Sequence, residues 1–184
     1  MLNTTARWVD QIARLFLKHG SQHYGENCTQ YEHMAQCAWW AIKKGYDDNM
    51  ILAAFLHDIG HLLASEQQLS ERDHLGYAQH DTLGAQWLRE QGLPESICTP
   101  IELHVKAKRY LVTVQADYAA GLSDASRRTL AQQGGRFSLL ECKAFENLPF
   151  FDRAIQLRQL DDLGKADDFN LPPLSSWLAR LEKF

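Results

Sequence analysis

Residues 50–63, MILAAFLHDIGHLL, are apolar nearly all round except for His57, Asp58 and His61. A helix of this kind has no face to give to water and must be buried on most sides. The segment predicts a central helix, capped by Asp47 or Asp48, that carries two imidazoles and a carboxylate into the protein interior. Such groups are costly to bury unless they are hydrogen-bonded or bound to a metal. A single histidine on an apolar helix reads as a satisfied core residue, so the argument turns on what accompanies it.

The rest of the chain supplies helices to surround this one. Trp8, Ile12, Leu15, Phe16 and His19 share a face of a helix expected over 5–19, with Thr4 or Thr5 as cap and Gly20 as stop. Thr29-Gln30-Tyr31-Glu32 is a capping box that opens a helix over 30–44 with His33 in its first turn. Helical spacing recurs over 78–91 and 94–106, with Gly92 and Pro94 between them, and then over 110–120. Ser123 caps a helix over 123–133, the Ser138…Glu141 box opens one over 139–146, and two more are expected over 149–162 and 173–183. No alternating strand pair, hairpin signal or internal repeat interrupts the pattern. The expected fold is an all-α, single-domain helical bundle spanning residues 1–184.

Charge narrows the partners. With 19 Lys+Arg against 23 Asp+Glu the net charge is -4, unlike the basic surface of a nucleic-acid binder. A small anion held by a few local cations remains compatible with it. The start, MLNTTARWVDQIARLF, lacks a basic region followed by an apolar core, and Met50–Leu56 is far shorter than the roughly 20 residues that span a bilayer. A cytoplasmic protein without membrane contact is expected. Cys28, Cys37, Cys98 and Cys142 show no paired spacing and are expected to be reduced thiols rather than disulfides or zinc ligands. Oligomeric state is not legible.

The eight histidines are the informative part. His33, His57, His80 and His104 each fall on a separate predicted helix, at intervals of 24, 23 and 24 residues. Asp58 and Asp161 add carboxylates. Imidazole and carboxylate ligands with open positions suit iron, manganese or zinc, and an Asp bridging two ions would let six side chains hold a pair. His61 lies one turn beyond His57, and Arg158 lies three residues before Asp161, so each shares a face with a candidate ligand.

The order His33…His57-Asp58…His80…His104…Asp161 resembles that of the HD-domain metalloproteins, a helical superfamily of mostly phosphohydrolases. The resemblance implies one ion on His33, His57, Asp58 and Asp161 and a second on Asp58, His80 and His104. Three further stretches resemble the PhnZ-type mixed-valent diiron oxygenases, the 2-amino-1-hydroxyethylphosphonate dioxygenase family. These are Tyr31-Glu32-His33 through Gln36-Cys37-Ala38, the run from His104 to Tyr110, and Leu122 to Leu130 continuing to Gln133-Gly134-Gly135.

That likeness covers most of the chain. It implies two iron ions, Fe(II) and Fe(III), with O2 as co-substrate and a small organophosphonate as substrate. Lys108, Ser126 and Arg158 would hold the phosphonate, with His61 donating a further hydrogen bond and Thr129 a further candidate. Without the resemblance, Lys106-Ala107-Lys108-Arg109 reads as a solvated helix end.

The segment His23-Tyr24-Gly25-Glu26-Asn27 resembles the family's gating loop, in which a Tyr occupies an iron before substrate arrives and a Glu contacts the substrate ammonium. Glu26 stands seven residues before His33, as in the family, but Tyr24 is two residues before Glu26 rather than three. The implied reaction cleaves the carbon–phosphorus bond of a 1-hydroxy-2-aminoethylphosphonate, giving glycine and phosphate, or a betaine if the nitrogen is methylated. Two other readings stand beside it: an HD phosphohydrolase acting on a small phosphate ester, and a non-catalytic metal-sensing domain.

Overall fold

The computed structural model describes residues 4–69, 75–167 and 169–184, with side chains from residue 8 onward. Its elements are α1 (Thr4–His19), α2 (Gln30–Lys43), α3 (Asp48–Leu56), α4 (Ile59–Glu66), α5 (His80–Glu90), α6 (Glu95–Val114), α7 (Tyr118–Gly121), α8 (Asp124–Gln132), α9 (Leu139–Glu146), α10 (Phe151–Leu163) and α11 (Leu174–Leu181). No strand occurs among the described residues, so the all-α expectation holds.

Side-chain caps place four of the helix starts. Thr29 and Ser138 each form a complete capping box with Glu32 and Glu141, while Asp47 accepts from Met50 N and Ser123 from Ser126 N. The proposed caps Thr4 and Thr5 fall inside α1, and their side chains lie outside the described residues.

Two expectations are corrected. The segment 50–63 is not one helix: α3 ends at Leu56, and His57-Asp58 forms the joint before α4 starts at Ile59. Asp58 takes φ -102 and ψ 11, and His61 N bonds to Asp58 O at 2.9 Å in place of continuing the α ladder. Conversely, the helices expected over 94–106 and 110–120 merge into α6, which ends at Val114. Two faces of α6 are buried, Ile101 in the main core and Leu103 and Ala107 in a second cluster, and buried Leu111 and Val112 carry the helix past the expected gap; only α7 remains of the second helix.

α6 packs against α10, α5 and α3, while α2 lies against α3 and α10, and α4 against α5. The core joins them through fully buried Ile12, Met34, Met50, Phe55, Leu56, Ile59, Leu62, Leu88, Ile97 and Ile101. Phe55 stacks between Phe16 and Trp177, with ring centroids 5.1 Å from each. A smaller cluster of Leu103, Ala107, Phe137, Phe145 and Ala154 fixes α9 and α10 against α6.

Glycine permits the closest approach. A Cβ on Gly60 would stand 1.9 Å from the carbonyl oxygen of His80, so α4 and α5 cross at a distance only Gly allows. No helix among the described residues is long and apolar enough to cross a membrane. All four cysteines are buried and free.

Candidate metal centre and anion pocket

Six buried side chains from separate parts of the chain converge: His33 (α2), His57 and Asp58 (the α3–α4 joint), His80 (α5), His104 (α6) and Asp161 (α10). Each of the four histidines points Nδ1 at a backbone carbonyl. The acceptors are Gly164 O at 2.8 Å from His33, Ala54 O at 2.9 Å from His57, Tyr77 O at 2.9 Å from His80 and Ile101 O at 2.6 Å from His104. A carbonyl cannot donate, so each Nδ1 holds the proton and each Nε2 turns a lone pair inward.

Those lone pairs meet in two couples. Nε2 of His33 and His57 are 3.2 Å apart, and Nε2 of His80 and His104 are 3.1 Å apart. Two proton-free nitrogens repel at this distance unless something positive lies between them. Nitrogens bound to one ion at about 2.1 Å would lie roughly 3.0–3.4 Å apart for angles of about 90–109°. The donor set thus fits two cations.

The carboxylate of Asp58 spans both couples. Its Oδ2 is 3.5 Å from His33 Nε2, while Oδ1 is 3.5 Å from His57 and 3.3 Å from His80, with His104 at 3.7 Å. Asp161 Oδ1 adds an oxygen 3.3 Å from His33. Burial would raise the Asp58 carboxyl, but the surrounding histidines outweigh it and hold the group well below the usual carboxylate range. Burial lowers His104 to about 3 and also lowers His57. His33 moves the other way, because Cys37 and Asp161 raise it against burial; a cation would take the place of that proton. Cys37 sits on the Nδ1 side of His33, at 3.9 Å, away from the shared lone pairs.

His61 has its ring stacked on His80, centroids 3.9 Å apart, and its donor atoms lie close to those of Asp58 and His80. Its role differs nonetheless. Tyr77 N donates to His61 Nδ1 at 3.0 Å, so Nε2 carries the proton and is a hydrogen-bond donor, not a ligand. Gly76, at φ +80, makes room: a Cβ there would meet the His61 ring at 2.4 Å.

Beside the metal residues a cavity is lined by Tyr24, Glu26, His61, Lys108, Ser126, Thr129, Arg158 and Lys165, among others. Lys108 is buried on α6 and donates to Thr129 Oγ1 at 3.0 Å. Burial, with Arg158 nearby, lowers its ammonium to about 7. Thr129 gives its own proton to Ala125 O at 3.0 Å, so it enters the site by placing Lys108. Arg158 is buried and fixed on three sides, by Asp161 (2.5 Å), by Tyr118 Oη (2.9 Å) and by Asp162. Its Nη2 also reaches Ser126 Oγ at 3.4 Å.

Glu26 Oε1 accepts from Ser123 Oγ at 2.6 Å and pairs with Lys165 at 3.0 Å. Tyr24 lines the cavity with its ring 4.8 Å from that of His61, and its hydroxyl bonds Gln22 Oε1 at 2.6 Å and Ser65 Oγ at 2.9 Å.

The structure brings every sequence-selected residue to this one site. It adds Lys165, Tyr118 and Asp162, which the sequence reading did not single out. The i, i+4 spacing of Asp161 and Lys165 was the available signal for one of them. His19 instead bonds Glu66 at 2.7 Å and neither lines the cavity, and His74 lies outside the described residues.

Comparison with known proteins accords with this geometry. Residues 31–132 match the HD domain family. The chain is 39% identical over 181 residues (97% of this chain, 89% of the relative) to a hydroxymethylphosphonate dioxygenase from Gimesia maris. It is 38% identical over 165 residues (89% and 83%) to the glycine-betaine-forming [1-hydroxy-2-(trimethylamino)ethyl]phosphonate dioxygenase of Leisingera caerulea. A mimivirus protein, L432 of Acanthamoeba polyphaga mimivirus, is 40% identical over 167 residues (90% and 76%). The chain belongs to the HD-domain family and, within it, to the PhnZ-type oxygenases.

Proposed function

We propose that this oxygenase uses two iron ions and O2 to cleave the carbon–phosphorus bond of a small phosphonate that carries a hydroxyl on C1, releasing phosphate and a carboxylate. The substrate expected is 1-hydroxy-2-aminoethylphosphonate, yielding glycine, or an N-methylated analogue, yielding a betaine. The observation that carries the reading is the juxtaposition of a two-cation donor set with a buried wall of Lys108, Arg158 and Ser126. A phosphonate dianion needs such short donors, and no Walker-type loop is required to supply them.

His33, His57, Asp58 and Asp161 would hold one iron, and Asp58, His80 and His104 the other. When bound, the pair supplies Lewis acidity toward the C1 hydroxyl and a redox partner for O2. The protein's own groups do the positioning. Lys108 presents its ammonium to the anion, and a bound dianion favours the protonated form of a group otherwise poised near 7. Arg158 arrives pre-oriented by Tyr118, Asp161 and Asp162, so little side-chain entropy is lost on binding. His61 offers its Nε2 proton to a substrate oxygen. Glu26 has Oε1 engaged and, among the described residues, carries no hydrogen bond at Oε2, which is available to a substrate ammonium. Tyr24 closes the cavity beside His61.

The test is direct. Protein purified in air should carry iron, consume O2 with 2-amino-1-hydroxyethylphosphonate or its N-methylated forms, and release phosphate one-to-one with oxygen. Phosphate released anaerobically from a phosphate ester, with no oxygen uptake, would instead establish a phosphohydrolase.

A further inference from the structure

Lys165 lies just past the end of α10 and contributes a half-buried ammonium to the cavity wall between Glu26 and Ser126. Its side chain is 15% exposed. Three acceptors lie within hydrogen-bond distance, Ser126 Oγ at 2.8 Å, Glu26 Oε1 at 3.0 Å and Ser123 Oγ at 3.3 Å, while the Asp161 carboxylate stands farther off at 3.8 Å. An ammonium has three protons, so these contacts exhaust it, and Lys165 has no donor left for a ligand.

The consequence falls on Ser126. A hydroxyl has two acceptor positions and one proton. Lys165 takes one acceptor position, and Arg158 Nη2, at 3.4 Å, takes the other. With both filled, Ser126 can only donate, and among the described residues its hydroxyl proton has no protein acceptor. Ser123 offers a contrast: its proton goes to Glu26, and it accepts from Lys165 and from Ser126 N.

We infer that Lys165 is a positioning residue that fixes Ser126 as an obligate hydrogen-bond donor to the substrate's phosphonate, while the same ammonium ties Glu26 to that wall. The inference rests on the phosphonate-oxygenase reading above. Lys165 acts through Ser126, so its contribution to anion binding disappears when the Ser126 hydroxyl is removed.

A double-mutant cycle tests this on the iron-loaded protein, with anaerobic calorimetric titration of hydroxymethylphosphonate so that no turnover intervenes. Lys165→Met should weaken binding about tenfold in the wild-type background. In the Ser126→Ala background the same substitution should change binding by less than about twofold. Lys165→Gln, which keeps an N–H donor, should recover part of the loss and serves if the Met variant does not fold. Iron content and thermal unfolding, measured on each variant, separate loss of the donor from loss of the fold. A tenfold loss that persists without the Ser126 hydroxyl, or a folded Lys165→Met protein that binds like wild type, overturns the role given to Lys165. Wild-type protein that binds neither hydroxymethylphosphonate nor 2-amino-1-hydroxyethylphosphonate in the same titration overturns the oxygenase reading itself, and this inference with it.

Discussion

His61 and His80 stack with their ring centroids 3.9 Å apart, yet one residue holds them in opposite tautomers. Tyr77 gives its N–H to His61 Nδ1 and takes the Nδ1 proton of His80 on its carbonyl. The first ring therefore faces the cavity as a donor and the second faces the metal centre as a lone pair. Neighbouring imidazoles are thereby given different work.

Metal content should separate the two. His80→Ala removes a ligand and should lose one of two bound ions, while His61→Ala should retain both and bind phosphonate about fivefold to tenfold more weakly. Metal analysis on purified protein, paired with anaerobic titration, reads both effects. Equal metal loss in the two variants would place His61 among the ligands.

Lys108 should give the enzyme an alkaline limb. Its ammonium sits near 7, below the ordinary lysine value, so the charged form that attracts a dianion is lost as pH rises through that value. kcat/KM should accordingly fall above about pH 7. In Lys108→Arg the charge does not titrate, and the limb should vanish apart from any contribution of the substrate's own ionisation. A pH–rate profile of both proteins decides it.

Thr129 should matter through Lys108 rather than by touching substrate. Thr129→Val keeps the shape but deletes the acceptor 3.0 Å from the ammonium, so KM should rise about fivefold with kcat little changed. Thr129→Ser keeps the oxygen and should behave like wild type. Steady-state oxygen uptake on the three proteins is the measurement.

Gly60 should be intolerant of any side chain. The Cβ of Gly60→Ala would be driven to 1.9 Å from His80 O, forcing α4 and α5 apart at a cost of about 3 kcal/mol, or roughly a 6–12 °C loss in Tm. Gly121→Ala is the control, since a Cβ there meets nothing within 4 Å. Thermal unfolding followed by circular dichroism compares the two.

Much of the site was legible in the sequence, because helical periodicity and the intervals between histidines are local facts. The pattern 50–63 required a buried element carrying His57, Asp58 and His61, and the spacing of His33, His57, His80 and His104 placed one ligand on each of four elements. All six candidate ligands converge. The resemblance in the 104–135 region added Lys108 and Ser126, and the Arg158–Asp161 spacing anticipated two groups on one face.

What only the tertiary structure decided is how each of these groups is engaged. The joint at His57-Asp58 replaces a continuous helix, because Asp58 leaves the α ladder where α4 closes on α5. The donor role of His61, the ligand geometry of His80, the placing of Lys108 by Thr129 and the saturation of Ser126 by Lys165 and Arg158 all depend on partners from other segments. A residue's type and periodicity are written in its own stretch of chain. The position of a proton on an imidazole or a hydroxyl is set by whichever donor or acceptor the fold brings against it.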